Sequence, residues 1–301
     1  MRIAVSGASG LVGGKLCAAL AAGGHTALRL VRGAPRGERA DEIPWDPARG
    51  QLEAARLAGI DAFVHLSGES VAGGRWSDAR KRAIAESRIA STRLVAETLA
   101  RVASRPVLVC ASAVGFYGDR GGEWVDETSP PGRGFLAGLC VEWERACEPA
   151  RAAGLRVVNA RIGIALDRHG GALAPMALQF RLGLGGRIGD GRQYVSWITS
   201  DDLVAVILHA IATPALAGPL NAVAPAPATN AELTRALASV LHRPAFFAVP
   251  AAVLRLALGA EMADEMLLGG ARVRCAKLAA SGFTFRDPEL EPALHRLLKS
   301  D

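Results

Sequence analysis

With 301 residues, 50% of them hydrophobic and 21% charged, the chain is long enough to bury about three quarters of its unfolded surface in a large α/β core. No apolar run reaches the ~18 residues of a membrane helix and no signal-peptide pattern precedes the first strand, which argues against a membrane partner and leaves a cytoplasmic location as the expectation. The net charge of +6 comes from arginines interleaved with Asp and Glu, which argues against nucleic acid and for a solvated surface favouring polyanionic small molecules.

In chain order, Arg2 to Ser6 is an apolar run that turns through Gly7, Gly10 and Gly13 into an Ala/Leu-rich helical stretch. This spacing is that of a dinucleotide pocket: Gly7 for the tight turn, Gly10 for close approach of a pyrophosphate, Gly13 for close helix–strand packing. Free N–H groups and the positive dipole end of the helix would face the anion. A nucleotide-hydrolase phosphate loop is excluded by spacing, because Ser9 and Leu16 stand where it needs Gly and Ser or Thr around Gly14-Lys15. The second strand, Thr26 to Val31, ends at Arg32, where NAD enzymes carry an acid for the ribose 2′-hydroxyl. A guanidinium there forks onto a 2′-phosphate, so NADP is the expected cofactor.

A Pro- and Gly-punctuated stretch from Gly33 to Gly59 leads to a strand over Asp61–Leu66, a helix from about Asp78 to Arg101, a strand over Val107–Ala111, a helix from about Gly134 to Ala153 and a strand over Arg156–Ile162. Beyond Leu166 the texture changes to glycine-rich loops, an extended candidate over Tyr194–Ile198, a helix over Asp201–Ile211 and a sixth strand over Pro219–Val223. The expected organisation is a doubly wound parallel sheet of Rossmann type over 1–165 and a smaller substrate lobe over 166–301, with about 201–225 returning to the sheet. Cys17, Cys110, Cys140, Cys147 and Cys275 contain no CxxC pair, and no His cluster has metal spacing, so neither disulfides nor a metal are expected.

Several longer pieces resemble one family. They are the opening GASGLVG, Leu66-Ser67-Gly68-Glu69, Arg75-Trp76 with Ser87-Arg88, SAVGFYG over 112–118, Phe135-Leu136-Ala137 with Trp143-Glu144, the 180–186 segment FRLGLGG, Ser196-Trp197-Ile198 before Asp201-Asp202, and a tail from Pro250 through Gly282-Phe283. Together they look like an extended short-chain dehydrogenase/reductase, and within it the atypical epimerase-like group often labelled nucleoside-diphosphate-sugar epimerase or cell-division inhibitor. The resemblance spans nearly the whole chain. It implies NADP in the crevice beyond the strand ends and an unidentified small-molecule substrate under the C-terminal lobe. By position, Gly7, Ser9, Gly10, Leu11, Val12 and Arg32 would hold the pyrophosphate and adenosine end, Leu66, Ser67 and Glu69 would line the next strand end, and Arg88 would reach in from the long helix. The plainer alternatives are that Leu66 is core, that Glu69 caps a turn and that Arg88 pairs with Glu86.

One departure from the superfamily stands out. Its usual Tyr-x-x-x-Lys pair is absent: four residues after Tyr117 stands Gly121, four after Tyr194 stands Ile198, and alignment through Trp143-Glu144 puts Leu136 and Cys140 where the Tyr and Lys would be. Tyr117 is the replacement candidate for the proton donor, with Ser112 orienting a carbonyl. Two functional classes follow: an NADP-dependent epimerase-like oxidoreductase acting on a small polar or nucleotide-linked carbonyl compound, and a cofactor-binding sensor or regulator.

Overall fold

The computed structural model describes residues 1–33 and 41–299. Its centre is one all-parallel sheet of seven strands: β1 (Arg2–Ser6), β2 (Thr26–Arg32), β3 (Glu42–Trp45), β4 (Ala62–His65), β5 (Val107–Ala113), β6 (Val157–Ile162) and β7 (Gly218–Ala222). They lie in the order β7-β6-β5-β4-β1-β2-β3. The chain therefore winds outward from β1 through β2 to β3, returns to β4 on the other side, and winds outward again. The order reverses between β1 and β4, and a crevice opens beyond the carboxyl ends at such a point.

Both faces of the sheet are apolar. Ile3, Val5, Val64, Val109 and Val158 pack with α1 (Leu11–Ala22) and with a later helix that contributes Leu203, Val206 and Ile207. Their neighbours Ala4, Phe63, Leu108 and Val157 point the other way, toward α2 (Asp78–Leu99), α3 (Phe135–Arg145) and the short helix Glu148–Ala152. Alternation with apolar residues on both sides is what a sheet covered by helices on both faces requires. A third cluster, built on Leu173, Phe180, Trp197, Leu237 and Leu294, forms the core of the C-terminal lobe. Within it are α4 (Ser200–Ala212), which lies against the sheet, α5 (Asn230–Leu241) and α6 (Leu290–Lys299).

Three boundaries differ from the sequence reading. Glu42–Trp45 is a strand inside the stretch read as loop; it carries Pro44, which the sheet accepts because β3 is its outermost strand. The helix expected to run to Ala153 stops at Arg145 and restarts at Glu148, where Pro149 sits in the first turn and donates no N–H. The extended Tyr194–Ile198 segment divides into Tyr194–Val195, paired with Ala228–Thr229, and Trp197–Thr199, paired with Ile164–Asp167. Among the described residues no helix is long and apolar enough to cross a membrane.

His65 ties the sheet to α2. Its Nδ1 is 2.6 Å from Ser6 Oγ and its Nε2 3.1 Å from Ser91 Oγ, with no exposure to solvent. The Ser91 hydroxyl donates to the Ser87 carbonyl, so the imidazole donates through Nε2 and accepts the Ser6 proton at Nδ1, as a neutral ring does. Burial depresses its pKa from 6.5 to about 3. Between these values the unfolded chain holds one proton more than the folded one, so stability rises with pH through this window and falls as the solution is acidified. Urea unfolding at pH 7 and pH 4.5 should show a loss that is smaller by about 2–3 kcal/mol in His65→Gln, from about 1.4 kcal/mol per pH unit below 6.5. An identical loss in parent and variant would contradict the assignment.

Candidate cofactor crevice

The turn between β1 and α1 is built around close approaches. Gly7 has φ +71°, and a Cβ there would stand 2.9 Å from the carbonyl carbon of Leu66. A Cβ on Gly13 would stand 2.1 Å from the Gly7 carbonyl oxygen, so α1 lies against the turn only because that position has no side chain. Gly10 is the helix N-cap; it offers no capping side chain, and the first turn of α1 contains no acid. The early N–H groups of this helix are therefore left for an external acceptor.

Ser9 and Gly10 are exposed at this turn, and Leu11 and Val12 are half-buried. Leu11 turns its side chain to the lobe: a Cβ on Gly170, in the hairpin after Ile164–Asp167, would lie 3.2 Å from Leu11 Cδ1. What Leu11 offers to a ligand is its amide. At the end of β4, Leu66 and Ser67 are half-buried, and Leu66 packs against both main clusters, so it is core and rim at once. Glu69 is exposed and pairs with Arg80 at 3.1 Å, while its N–H donates to Ser87 Oγ at 3.0 Å. Arg32 ends β2 beside Trp45, exposed and without a hydrogen bond or ion pair among the described residues. Arg88 lies on α2 with its Cζ 5.1 Å from the Trp143 ring centre and makes no ion pair with Glu86. The structure thus places Arg32 at the end of β2, the glycine turn beyond β1, and Leu66, Ser67 and Glu69 beyond β4, side by side along the switch point.

The two expected catalytic groups follow at the carboxyl end of β5. Val114–Tyr117 forms a 3-10 turn after β5 that carries Tyr117 into the core, where it has no solvent exposure. Its hydroxyl donates to Asn221 Oδ1 at 2.7 Å and accepts from Arg161 Nη1 at 3.0 Å, and burial raises its pKa further from neutrality. Ser112, 2% exposed, donates to Glu144 Oε1 at 2.8 Å, and Arg161 donates to both oxygens of the same carboxylate at 2.8 and 2.9 Å. Ser112, Glu144, Arg161, Tyr117 and Asn221 form one buried hydrogen-bonded chain, so the two hydroxyls expected to face a substrate are both engaged within the protein. Tyr117→Phe should leave ligand affinity unchanged and cost about 1–2 kcal/mol of stability, because Asn221 and Arg161 each lose a partner. A variant of parental stability with altered ligand affinity would return Tyr117 to the crevice.

The sequence reading also passed over groups that fasten this region. Lys15 Nζ is 2.6 Å from Asp167 Oδ2 and 2.9 Å from Asp201 Oδ1, tying α1 to the lobe. The Glu265 carboxylate accepts from the backbone N–H groups of Phe135 and Leu136, at 2.8 Å each, and so caps α3 from the C-terminal segment. One signal was available for Arg161: a charged residue inside an apolar strand needs a counterion.

Comparison with known proteins fixes the family. A family model described as "NAD dependent epimerase/dehydratase family" matches residues 3–222, and one described as "Domain of unknown function (DUF1731)" matches residues 249–297. The chain belongs to the NAD-dependent epimerase/dehydratase family. It is 44% identical over 292 residues to the epimerase family protein Mb2239 of Mycobacterium bovis, covering 97% of this chain and 96% of that one. It is 37% identical to the human epimerase family protein SDR39U1, over 99% of this chain and all of that one. A crystal structure of human SDR39U1 isoform 2 with NADPH superposes with a TM-score of 0.91 at 34% identity over the whole of both chains. A nucleoside-diphosphate sugar epimerase from Corynebacterium glutamicum superposes at 0.82 and 37% identity, covering 99% of this chain and 58% of that one. Cys140, on α3, is 3% exposed, its thiol pushed up to about 12 by burial and then by Glu144.

Proposed function

We propose that this chain binds NADPH across the switch point and works by holding it, as a cofactor-binding sensor or regulator, without the side-chain acid of Tyr–Lys oxidoreductases. The observation that carries this is the amino end of α1, where Gly7 and Gly13 bring backbone so close that no Cβ fits and the first-turn amides are left uncapped. Those residues fit a dinucleotide: the amides of Leu11 and Val12 would meet the pyrophosphate, and Arg32 would fork onto the 2′-phosphate. The NADPH named with the human relative supports the same choice of coenzyme. When bound, NADPH supplies a hydride donor at its nicotinamide.

The side chains around that end move no proton. The Ser112 hydroxyl donates a hydrogen bond to Glu144, Glu144 is held by Arg161, Tyr117 is buried, and the Cys140 thiol stays protonated at neutral pH. An epimerisation that begins with oxidation needs a base, and a carbonyl reduction needs an acid, each worth ~10² to 10⁴ in rate. This favours the binding class over an oxidoreductase acting on a small polar or nucleotide-linked carbonyl.

Cofactor choice is tested at Arg32. Arg32→Asp should weaken NADPH by about tenfold or more, the worth of charge-assisted hydrogen bonds, with little change for NADH. Equal losses for the two coenzymes would overturn the 2′-phosphate assignment. In the same preparation, a panel of small polar and nucleotide-linked carbonyls should give no NADPH oxidation; sustained turnover of any of them would overturn the binding reading.

A further inference from the structure

Seven of the ten large apolar side chains that stand exposed among the described residues fall in two short segments of the C-terminal lobe. Leu178, Leu182 and Leu184 lie at and just beyond the end of the helix Leu173–Arg181. Phe246, 89% exposed, and Phe247 open the strand Phe247–Val249, and Val253 and Leu256, the latter 80% exposed, lie on the helix Ala251–Leu258. The two segments are joined: Gly186–Ile188 pairs with Phe247–Val249, Gly186 opposite Phe247, and Arg243 Nε donates to the Arg181 carbonyl at 3.3 Å. Pro250 then leads directly into the helix Ala251–Leu258, in which seven of eight residues are apolar and not one is buried. Val253 and Leu256, three apart, share a face of it. A helix apolar on every side is ordinarily buried, and one of two turns does not hold itself together in water. This one calls for a cover.

The charge on the same segments says what kind. Residues 178–188 and 243–258 hold four arginines and no Asp or Glu. Arg255 is paired with Asp264 at 2.8 Å, whereas Arg181, Arg187 and Arg243 are exposed and make no ion pair among the described residues. A second copy docked here about a two-fold axis would set these arginines against themselves and bury them without carboxylates. An anionic lipid surface supplies both halves of the complement, acyl chains for the apolar residues and phosphates for the guanidinium groups. The lack of an apolar run of ~18 residues bears on spanning a membrane; a helix lying in the interface needs none.

We propose that this face, residues 178–188 with 243–258, docks the C-terminal lobe onto an anionic membrane surface. Phe246, Phe247 and Leu256 enter the boundary between headgroups and acyl chains, and Arg187 and Arg243 meet lipid phosphates. The proposal does not depend on the NADPH reading, and either can fail without the other.

Co-sedimentation with lipid vesicles tests it. The parent should pellet with vesicles of phosphatidylcholine containing a one-quarter share of phosphatidylglycerol and bind vesicles of phosphatidylcholine alone far more weakly. Salt at ~1 M, where the Debye length shrinks to about 3 Å, should release it. Phe246→Ser with Leu256→Ser should lower binding about a hundredfold, at roughly tenfold for each large apolar side chain withheld from the membrane. Both side chains are exposed, so the urea midpoint of this variant should shift little. Arg187→Glu with Arg243→Glu should erase the preference for the anionic lipid. No pelleting with the phosphatidylglycerol vesicles, or pelleting that both variants leave unchanged, would overturn the proposal. So would a dimer at sedimentation equilibrium that the Phe246 and Leu256 substitutions dissociate, because a second copy would then be the cover.

Discussion

Gly13→Ala should destabilise the chain by about 3 kcal/mol and abolish ligand binding at the glycine turn, while Gly14→Ala, one residue on, should be neutral or stabilising by up to ~1 kcal/mol. The two glycines share helix α1 and differ in what a methyl group would meet. At Gly13 the Cβ would stand 2.1 Å from the Gly7 oxygen, 2.8 Å from the Gly7 carbonyl carbon and 3.0 Å from Ala8 Cα, all backbone atoms that cannot swing aside. The helix must retreat from β1, and the amides aimed at the anion retreat with it. At Gly14 the nearest atom is the Ala8 oxygen at 3.7 Å, an ordinary contact, and alanine is the better helix former. Denaturant midpoints with unchanged slopes measure both. Equal effects at the two positions would show that the turn does not depend on this approach.

The second large effect is expected at Arg161. Arg161→Met should cost about 3–5 kcal/mol, the usual consequence of stranding one member of a buried ion pair. Its side chain is 4% exposed and that of Glu144 13%, so water does little to compensate the abandoned carboxylate. The loss also takes a donor from Tyr117, whose hydroxyl then has Asn221 alone. Pairing it with Glu144→Leu should return part of the stability, because a buried pair replaced on both sides by apolar groups is often neutral. A single variant within 1 kcal/mol of the parent, or a double variant that is worse than the single one by the full cost of a second lesion, would show that the pair is not a unit.

The features legible in the sequence are those whose causes are local in the chain. The apolar runs of β1, β4 and β5 announce a covered sheet because a strand buried on both faces has no solvent-facing side to fill with polar residues. The three glycines announce the first turn because the approach of Gly13 to Gly7 lies within seven residues. β3 escapes because it is four residues long, carries Glu42 and Pro44, and is a strand only by virtue of pairing with β2.

Tyr117 shows more clearly where local patterns run out. Its place shortly after Ser112 suggests a substrate-facing phenol, yet the residues that decide its environment are 44 and 104 positions away, Arg161 and Asn221. A 3-10 turn of four residues is enough to rotate a ring from crevice to core, and no periodicity in the chain encodes that rotation. Glu265 is further still, 130 residues from the Phe135 amide it caps, and the site around α3 is assembled only when the C-terminal segment comes back across it.

Reception of the cofactor's pyrophosphate by the uncapped amides at the start of α1 is the claim on which the functional reading turns. Amide hydrogen exchange of the folded protein with and without NADPH reads those groups directly. Exchange in the segment 8–13 should slow markedly on adding NADPH, with less change on adding NADH at the same concentration. Unaltered exchange in that segment, while NADPH is shown to bind or while it leaves every amide of the chain unaffected, would contradict the claim.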